Sequence, residues 1–405
     1  VVYELVERRV LVRDLEVGMY ICRLDRSWHE TPFPLQGLAV HSDADIEAVG
    51  RYCEYVFVDT QRDVAADIRP QVLRRTEPSP VRFRRSQVYQ DTARFDDELA
   101  RAGEAFDNAS ACMEKIVDAI VQGQVLDIEV IARAVRPMVD SVMRSGDAFF
   151  WIESLRRRDS YTYQHAVSCS ALAAAFGRHM GFDQETIVSL AAGNLLMDVG
   201  KSQLPDELLL HAGPLDAQEM ALARLHVEEG LGILAHSGVM DVDVRDIVGS
   251  HHERFDGGGY PQGLAGAAIP LAARMAAIID TYDALCTPRP YREAVSRHHA
   301  LREIYAGRDS AFQGELVEQF QSCLGVYPTG SLVELTSGEI AIVMVQNHAR
   351  RLLPRVAVLT TREKAPLDDF RIVDLMRQVG HEHVEVGRSL PPGSHGIDPK
   401  EFFLQ

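Results

Sequence analysis

The sequence predicts a mainly α chain, in which an all-helical bundle lies between a small N-terminal α+β domain and a β-rich C-terminal tail. Three observations predict it. Apolar residues alternate as in strands near the N-terminus, recur at helical spacing from about residue 90 to residue 325, and return to strand-like runs from Tyr327 onward. A length of 405 residues suggests two or three domains. With 46% hydrophobic and 25% charged residues, the composition is that of an ordinary folded protein.

Residues 1–75 form the small α+β domain. VLVRDLEVGMYICRL (10–24) has strand alternation interrupted by a turn at Gly18, and YVFVD (55–59) reads as a buried strand. Residues 76–145 are a linker and helical connector. TEPSPVRFRRS (76–86) is rich in Pro, Ser and Arg, and beyond it Met113, Ile116, Val117, Ile120 and Val121 fall on one helical stripe. That stripe suits either a homodimer seam or an intramolecular packing helix. Residues 146–335 make the bundle. One helix carries His165 and ends near Gly181; a second runs from Glu185 to Gly200, a glycine placed as a C-terminal cap. Asp216-Ala-Gln-Glu219 resembles a capping box opening the helix that carries His226. SLVELTSG, EIAIVMVQ and RVAVLTT then read as strands, and residues 336–405 form the β-rich tail. There is no internal repeat.

The net charge of −17 disfavours non-specific contact with DNA or RNA, so neither is expected as a partner. It leaves room for a nucleotide in a locally positive, metal-loaded pocket. Six scattered cysteines with no CxxC argue against a disulfide framework or a cysteine zinc site, and fit a cytoplasmic setting. No apolar run approaches the roughly 20 residues of a membrane helix, so insertion is not expected. The start, VVYELVERRV, holds acidic residues and no long apolar core; it does not read as a signal peptide, and without an initiator Met it reads as trimmed.

The helical segment carries His165, Asp198, Lys201, His226, His251, His252 and Asp280 on separate expected elements. Imidazoles and carboxylates suit Fe, Mn, Ni or Zn, and no thiolate is near in sequence. Two ions about 3.5–4 Å apart and sharing a carboxylate can activate water and stabilise the leaving oxygen of a phosphodiester. A lone helical His is more often a surface or satisfied core residue than a ligand. The His251–His252 pair is a stronger signal, because two adjacent imidazoles converge most readily at a helix end. Lys201, three residues after Asp198, either touches a scissile phosphate oxygen, protonates the leaving group, or pairs with Asp198.

Residues 251–261 read HHERFDGGGYP. This resembles the HHExxDGxGYP signature of the HD-GYP family, a branch of the HD phosphohydrolase superfamily. YTYQHAV (161–167), MDVGKSQLPDELL (197–209), the His226 helix and IIDTYDALCTPRPYREA (278–294) stand in the family's order and spacing, so the resemblance covers about residues 145–335. Residues 1–75 are similar, more softly, to the small domain of unknown function that often precedes this family. The resemblance implies an all-helical HD-type bundle that hydrolyses cyclic di-GMP to linear pGpG and GMP in bacterial second-messenger signalling. It implies two divalent transition metal ions. His165, Asp198 and Asp280 would hold one, and Asp198 would bridge to a second on His226, His251 and His252. Asp198 and Lys201 would be the catalytic pair. Tyr260 would stack a guanine or give its hydroxyl to a phosphate, with glycines 257–259 letting backbone approach the ligand. Arg289 and Arg292 would grip the dinucleotide. The loop bearing Tyr260 would also meet other signalling proteins.

The sequence departs from the family in two places. Met197 stands where the His of the His-Asp pair belongs, and a thioether is a poor donor to a hard or borderline ion. Asn194, one turn before Asp198, or a water would then fill the position. Tyr161 stands where some members place a Glu for a third metal, so a third ion is not expected. The readings left open are an active phosphodiesterase, a weakened or inactive cyclic dinucleotide sensor, and a phosphohydrolase of monomeric nucleotides. The N-terminal domain carries no readable chemistry; His29 and His41 are read as incidental.

Overall fold

The structure, a computed structural model, describes residues 7–25, 38–40, 42–59, 87–155, 161–209, 211, 213–288, 293–347, 350–378 and 383–397. The linker at 76–86, His29, His41, Arg289 and Arg292 lie outside them. Two units are distinguished, Val1–Arg82 with Asn347–Pro354, and Phe83–Gln346 with Arg355–Gln405.

In the first unit, alternating apolar residues build one face of an antiparallel sheet. Its strands are β1 (Glu7–Leu11), β2 (Tyr20–Leu24), β3 (Leu38–Ala39) and β4 (Tyr55–Asp59), in the order β1-β4-β2-β3. Val10, Ile21, Val56 and Val58 are buried together with Val49 of helix α1 (Asp43–Gly50). Gly18 makes the expected turn at φ +103°, a value that favours glycine, and its N–H donates to Val40 O at 2.8 Å.

The second unit is built on helices α2 (Phe95–Val121), α3 (Ile128–Arg144), α4 (Ala148–Leu155), α5 (Tyr161–Met180), α6 (Gln184–Leu196), α7 (Asp206–Leu209), α8 (Ala217–Arg224), α9 (His226–His236), α10 (Val242–Ser250), α11 (Leu271–Cys286), α12 (Arg297–Ala306) and α13 (Gly314–Leu324). Helix α5 is central and packs against α2, α3, α6 and α11. Its small buried residues Ala171, Ala173, Ala174 and Ala175 let those neighbours come close. The α2 stripe packs within the chain: Met113, Ile116 and Ile120 join the bundle core, whereas Val121 faces outward.

Two local expectations are corrected. Helix α6 starts after Asp183, whose carboxylate caps Thr186 N at 3.0 Å, but it ends at Leu196, before Gly200. Gly200 is not a cap. It lies in a 3-10 turn (Val199–Gln203) pressed against α9, where a Cβ would sit 2.0 Å from His226 O and 2.5 Å from Gly230 N. The Asp216–Glu219 capping box does form, but it opens α8, which ends at Arg224; His226 begins the next helix beyond Leu225.

The tail is a second antiparallel sheet of β5 (Leu332–Leu335), β6 (Ile340–Val345), β7 (Arg355–Thr360), β8 (Pro366–Asp374) and β9 (Val386–Leu390), in the order β8-β7-β6-β5-β9. Trp151 and Leu155 of α4 are buried with Leu332, Ile340, Ile342, Ala357 and Leu359 of this sheet. Sequence periodicity missed β8 and β9, the two edge strands, because edge strands bury too little to need an apolar alternation. Among the described residues no helix is long and apolar enough to cross a membrane.

Gly200→Ala forces α9 away from the turn that follows Asp198. An overpacking cost of about 1–3 kcal/mol is expected, read as a lowered denaturation midpoint. Because the displaced backbone carries His226, metal content should fall as well; full retention of both would contradict this packing.

Candidate metal centre

Helix ends supply the candidate ligands. His226 is the first residue of α9, His251 caps α10 with His252 following, and Asp198 follows α6 in the turn that Gly200 presses onto α9. Mid-helix positions supply His165 from α5 and Asp280 from α11. His165, Asp198, His226, His251 and Asp280 are all buried, and His252 is partly so.

All six converge on Asp198 and Asp280. The Oδ1 of Asp198 lies 3.6 Å from His226 Nε2 and 3.7 Å from His251 Nε2. The Nε2 of His165 lies 3.2 Å from Asp280 Oδ1 and 3.7 Å from Asp198 Oδ2, and His252 Nδ1 lies 3.8 Å from Asp280 Oδ2. The ligand atoms of Asp198, His226, His251 and His252 fall within 4.8 Å of one another, and so do those of a second group, His165, Cys169 and Asp283. Two His/Asp-rich clusters able to hold divalent ions are therefore present.

The hydrogen bonding of the first cluster fits a cation. The Nδ1–H of His226 donates to Ala223 O at 2.7 Å, and that of His251 to Ile247 O at 3.0 Å. Each Nε2 is then a bare lone pair. The two Nε2 atoms nevertheless stand 3.4 Å apart, and both face a carboxylate oxygen that has no hydrogen-bond partner among the described residues. Three acceptors pointed at one another in a buried space are costly unless a positive ion stands between them. Burial also pushes the His226 pKa down to about 4, with Lys201 and His251 adding to it and Asp198 opposing, so the imidazole is neutral, the form that ligates. Burial and His251 likewise hold His252 well below its ordinary value. Burial would raise Asp198, but Lys201 and the imidazoles of His251, His226 and His165 outweigh it and keep the carboxylate ionised.

Lys201 makes the ion pair: its Nζ lies 2.5 Å from Asp198 Oδ2. Three residues that sequence reasoning passed over support the site, and two of them, Asp283 and Cys169, belong to the second cluster. Asp283 Oδ2 accepts from His165 Nδ1 at 2.7 Å, fixing the ring so that Nε2 faces Asp280 and Asp198. Its sequence signal is its place one helical turn after Asp280. Cys169 places its Sγ 3.6 Å from His165 Nδ1, so a sulfur does stand beside the site, contrary to the expectation from sequence. Burial pushes this thiol up to about 12, which keeps it protonated. Burial alone would lower His165, but Cys169, Asp280 and Asp283 raise it well above the ordinary value. Glu253 is the third residue. Buried beneath the loop, it accepts from Gln262 N at 2.8 Å and Leu264 N at 2.9 Å.

That loop ends on Tyr260, whose ring stacks on His252 with centroids 4.7 Å apart. Gly259 serves the loop's own packing more than a ligand's approach, since a Cβ there would meet Arg254 N at 2.3 Å and Glu253 Cα at 2.5 Å. Met197 is buried within the apolar core of the bundle, and Asn194 donates to Leu190 O at 2.9 Å. Arg289 and Arg292 lie outside the described residues, as does the side chain of Tyr161.

An HD domain model matches residues 151–316, and a model for a domain of unknown function (DUF3391) matches residues 7–131. The chain is 31% identical over 382 residues to a cyclic di-GMP phosphodiesterase of Pseudomonas aeruginosa, covering 91% of this chain and 89% of that one. It is 34% identical to the cyclic di-GMP phosphodiesterase response regulator RpfG of Xanthomonas campestris, over 44% of this chain and 49% of the relative. It is 35% identical to a 3'3'-cGAMP-specific phosphodiesterase of Vibrio cholerae, over 40% of this chain and 31% of the relative. A solved structure of an HDGYP protein from Bdellovibrio bacteriovorus aligns at 15% identity with a TM-score of 0.48, over 78% of this chain and 99% of that one.

Asp283 fixes His165 from behind, and losing such a partner weakens metal affinity about 10- to 100-fold. Asp283→Ala should show that loss in a competition titration with a chromophoric chelator. Asp283→Asn keeps an acceptor and should fall between the two.

Proposed function

The chain belongs to the HD-GYP family of metal-dependent HD-domain phosphohydrolases, and on that premise we propose that it is a cyclic dinucleotide phosphodiesterase that opens cyclic di-GMP to linear pGpG and cleaves this further to GMP. The observation that carries the reading is the unpartnered Asp198 Oδ1 facing two bare imidazole nitrogens, with Asp280 and His165 beside it. His226, His251 and His252 would hold one divalent ion with Asp198; His165 and Asp280 would hold a second, sharing Asp198. Iron, manganese, nickel and zinc all suit these donors. Ions bound there supply an activated water and charge stabilisation for the leaving oxygen.

The protein's own side chains do the rest. The Lys201 ion pair holds Asp198 Oδ2, which leaves Oδ1 aimed at the imidazoles, and its ammonium is the proton donor for the leaving oxygen. Burial raises the Tyr260 pKa well above the usual phenol value, so its hydroxyl stays protonated and donates to a phosphate oxygen. Arg289 and Arg292 grip the bases or phosphates of the dinucleotide. Cyclic di-GMP is preferred over a mixed cyclic GMP-AMP because a relative that matches 91% of this chain is a cyclic di-GMP phosphodiesterase.

A second reading, a cyclic dinucleotide sensor of weak or no activity, is favoured by one observation. Met197 belongs to the apolar core, so the His165 ion lacks the imidazole that the family places there.

Manganese-loaded protein is expected to convert cyclic di-GMP to pGpG faster than cyclic GMP-AMP or GTP, and Asp198→Ala to reduce this to background. Equal turnover by the variant would sink the hydrolase reading. Met197→His should raise metal stoichiometry and rate; a wild type that binds cyclic di-GMP without product, then gains activity on this change, would establish the sensor.

A further inference from the structure

We propose that Arg224 and Arg254 form a second cationic grip, which takes the phosphate of the cyclic dinucleotide that is not being cleaved. This role rests on the phosphodiesterase reading above. A cyclic dinucleotide carries two phosphodiester anions. The metal cluster receives one, and the other needs cations outside the cluster.

Arg224 is exposed at the end of α8, and its guanidinium carbon lies 4.7 Å from the centroid of the Tyr260 ring. The neighbouring Ala223 O accepts from His226 Nδ1, so the same helical turn fixes a candidate ligand and carries the arginine. The chain holds 59 acidic residues against 42 Lys and Arg, yet no carboxylate pairs with Arg224 among the described residues. A cation–π contact pre-orients the planar fork while leaving its N–H groups for an oxyanion. Helix α8 buries none of its residues, so Arg224 can follow a ligand at little cost in packing.

Arg254 approaches from the other chain segment, directly after His251, His252 and Glu253. Its Nη1 is buried with no hydrogen-bond partner among the described residues, and its Nη2 reaches Thr281 Oγ1, next to Asp280, at 3.5 Å. Its guanidinium carbon lies 5.3 Å from the Phe312 ring. An unpaired buried guanidinium donor is costly, and an incoming phosphate oxygen relieves that cost. The backbone N of Arg254 lies against Gly259, the residue before Tyr260, where a Cβ would meet it at 2.3 Å, so both arginines border the Tyr260 loop. With His252 and Arg224 both on its π surface, Tyr260 serves to orient Arg224, in preference to a platform for guanine.

The test uses the full manganese-loaded chain, with metal content measured for each variant. Arg224→Ala is expected to raise the KM for cyclic di-GMP about tenfold to a hundredfold, the range for losing one charge-assisted hydrogen bond. Arg224→Lys should recover part of the loss. Arg254→Lys, chosen because it keeps the buried charge and stem, should raise KM by a smaller factor. Bis(p-nitrophenyl) phosphate has a single anionic diester, so the variants should lose far less on it. A KM within twofold of wild type in Arg224→Ala, or a parallel loss on both substrates, overturns the proposal. If the wild type turns over neither substrate, the hydrolase reading fails separately. The arginines are then judged by calorimetric affinity for cyclic di-GMP, where a change under twofold again overturns them.

Discussion

The bundle is organised around one buried carboxylate. Asp198 sits where the turn after α6, the start of α9 and the end of α10 meet, with Lys201 on one oxygen and two imidazole nitrogens facing the other. In a low-dielectric interior such an arrangement is untenable for a neutral core and natural for a cation site. The surrounding architecture serves to make that convergence possible.

Two kinds of constraint hold the convergence in place. The first is steric. Gly200 and Gly259 are glycines because backbone from α9 and from the loop's own start occupies the space of a Cβ. The second is electrostatic and lies behind the ligands. Backbone carbonyls fix the tautomers of His226 and His251, Asp283 fixes His165, and Glu253 ties down the loop that stacks Tyr260 on His252. Removing a supporting group would therefore loosen the site without touching a ligand.

The molecule's negative charge is not uniform in its consequences. The net charge is −17, yet Arg224 lies over the Tyr260 ring and the backbone of Arg254 lies against Gly259 beside it. Local positive charge in an acidic protein suits a small, discrete anion held by a few specific contacts better than a long nucleic acid.

Much of this was legible in the sequence. The helical period, the strand-like tail, the Gly18 turn and the spacing of His165, Asp198, His226, His251, His252 and Asp280 are local or motif-bound features, and the sequence alone determined them. It also determined that Met197, and not a histidine, precedes Asp198. What the tertiary structure decided lies in contacts between residues distant along the chain. Asp283 looks like an ordinary helix residue until α5 and α11 pack and bring it against His165. Gly200 reads as a cap until α9 is seen to occupy its Cβ position. Arg224 reads as surface charge until α8 lays it over Tyr260. Sequence spacing records which residues share an element; only packing determines which elements share a space.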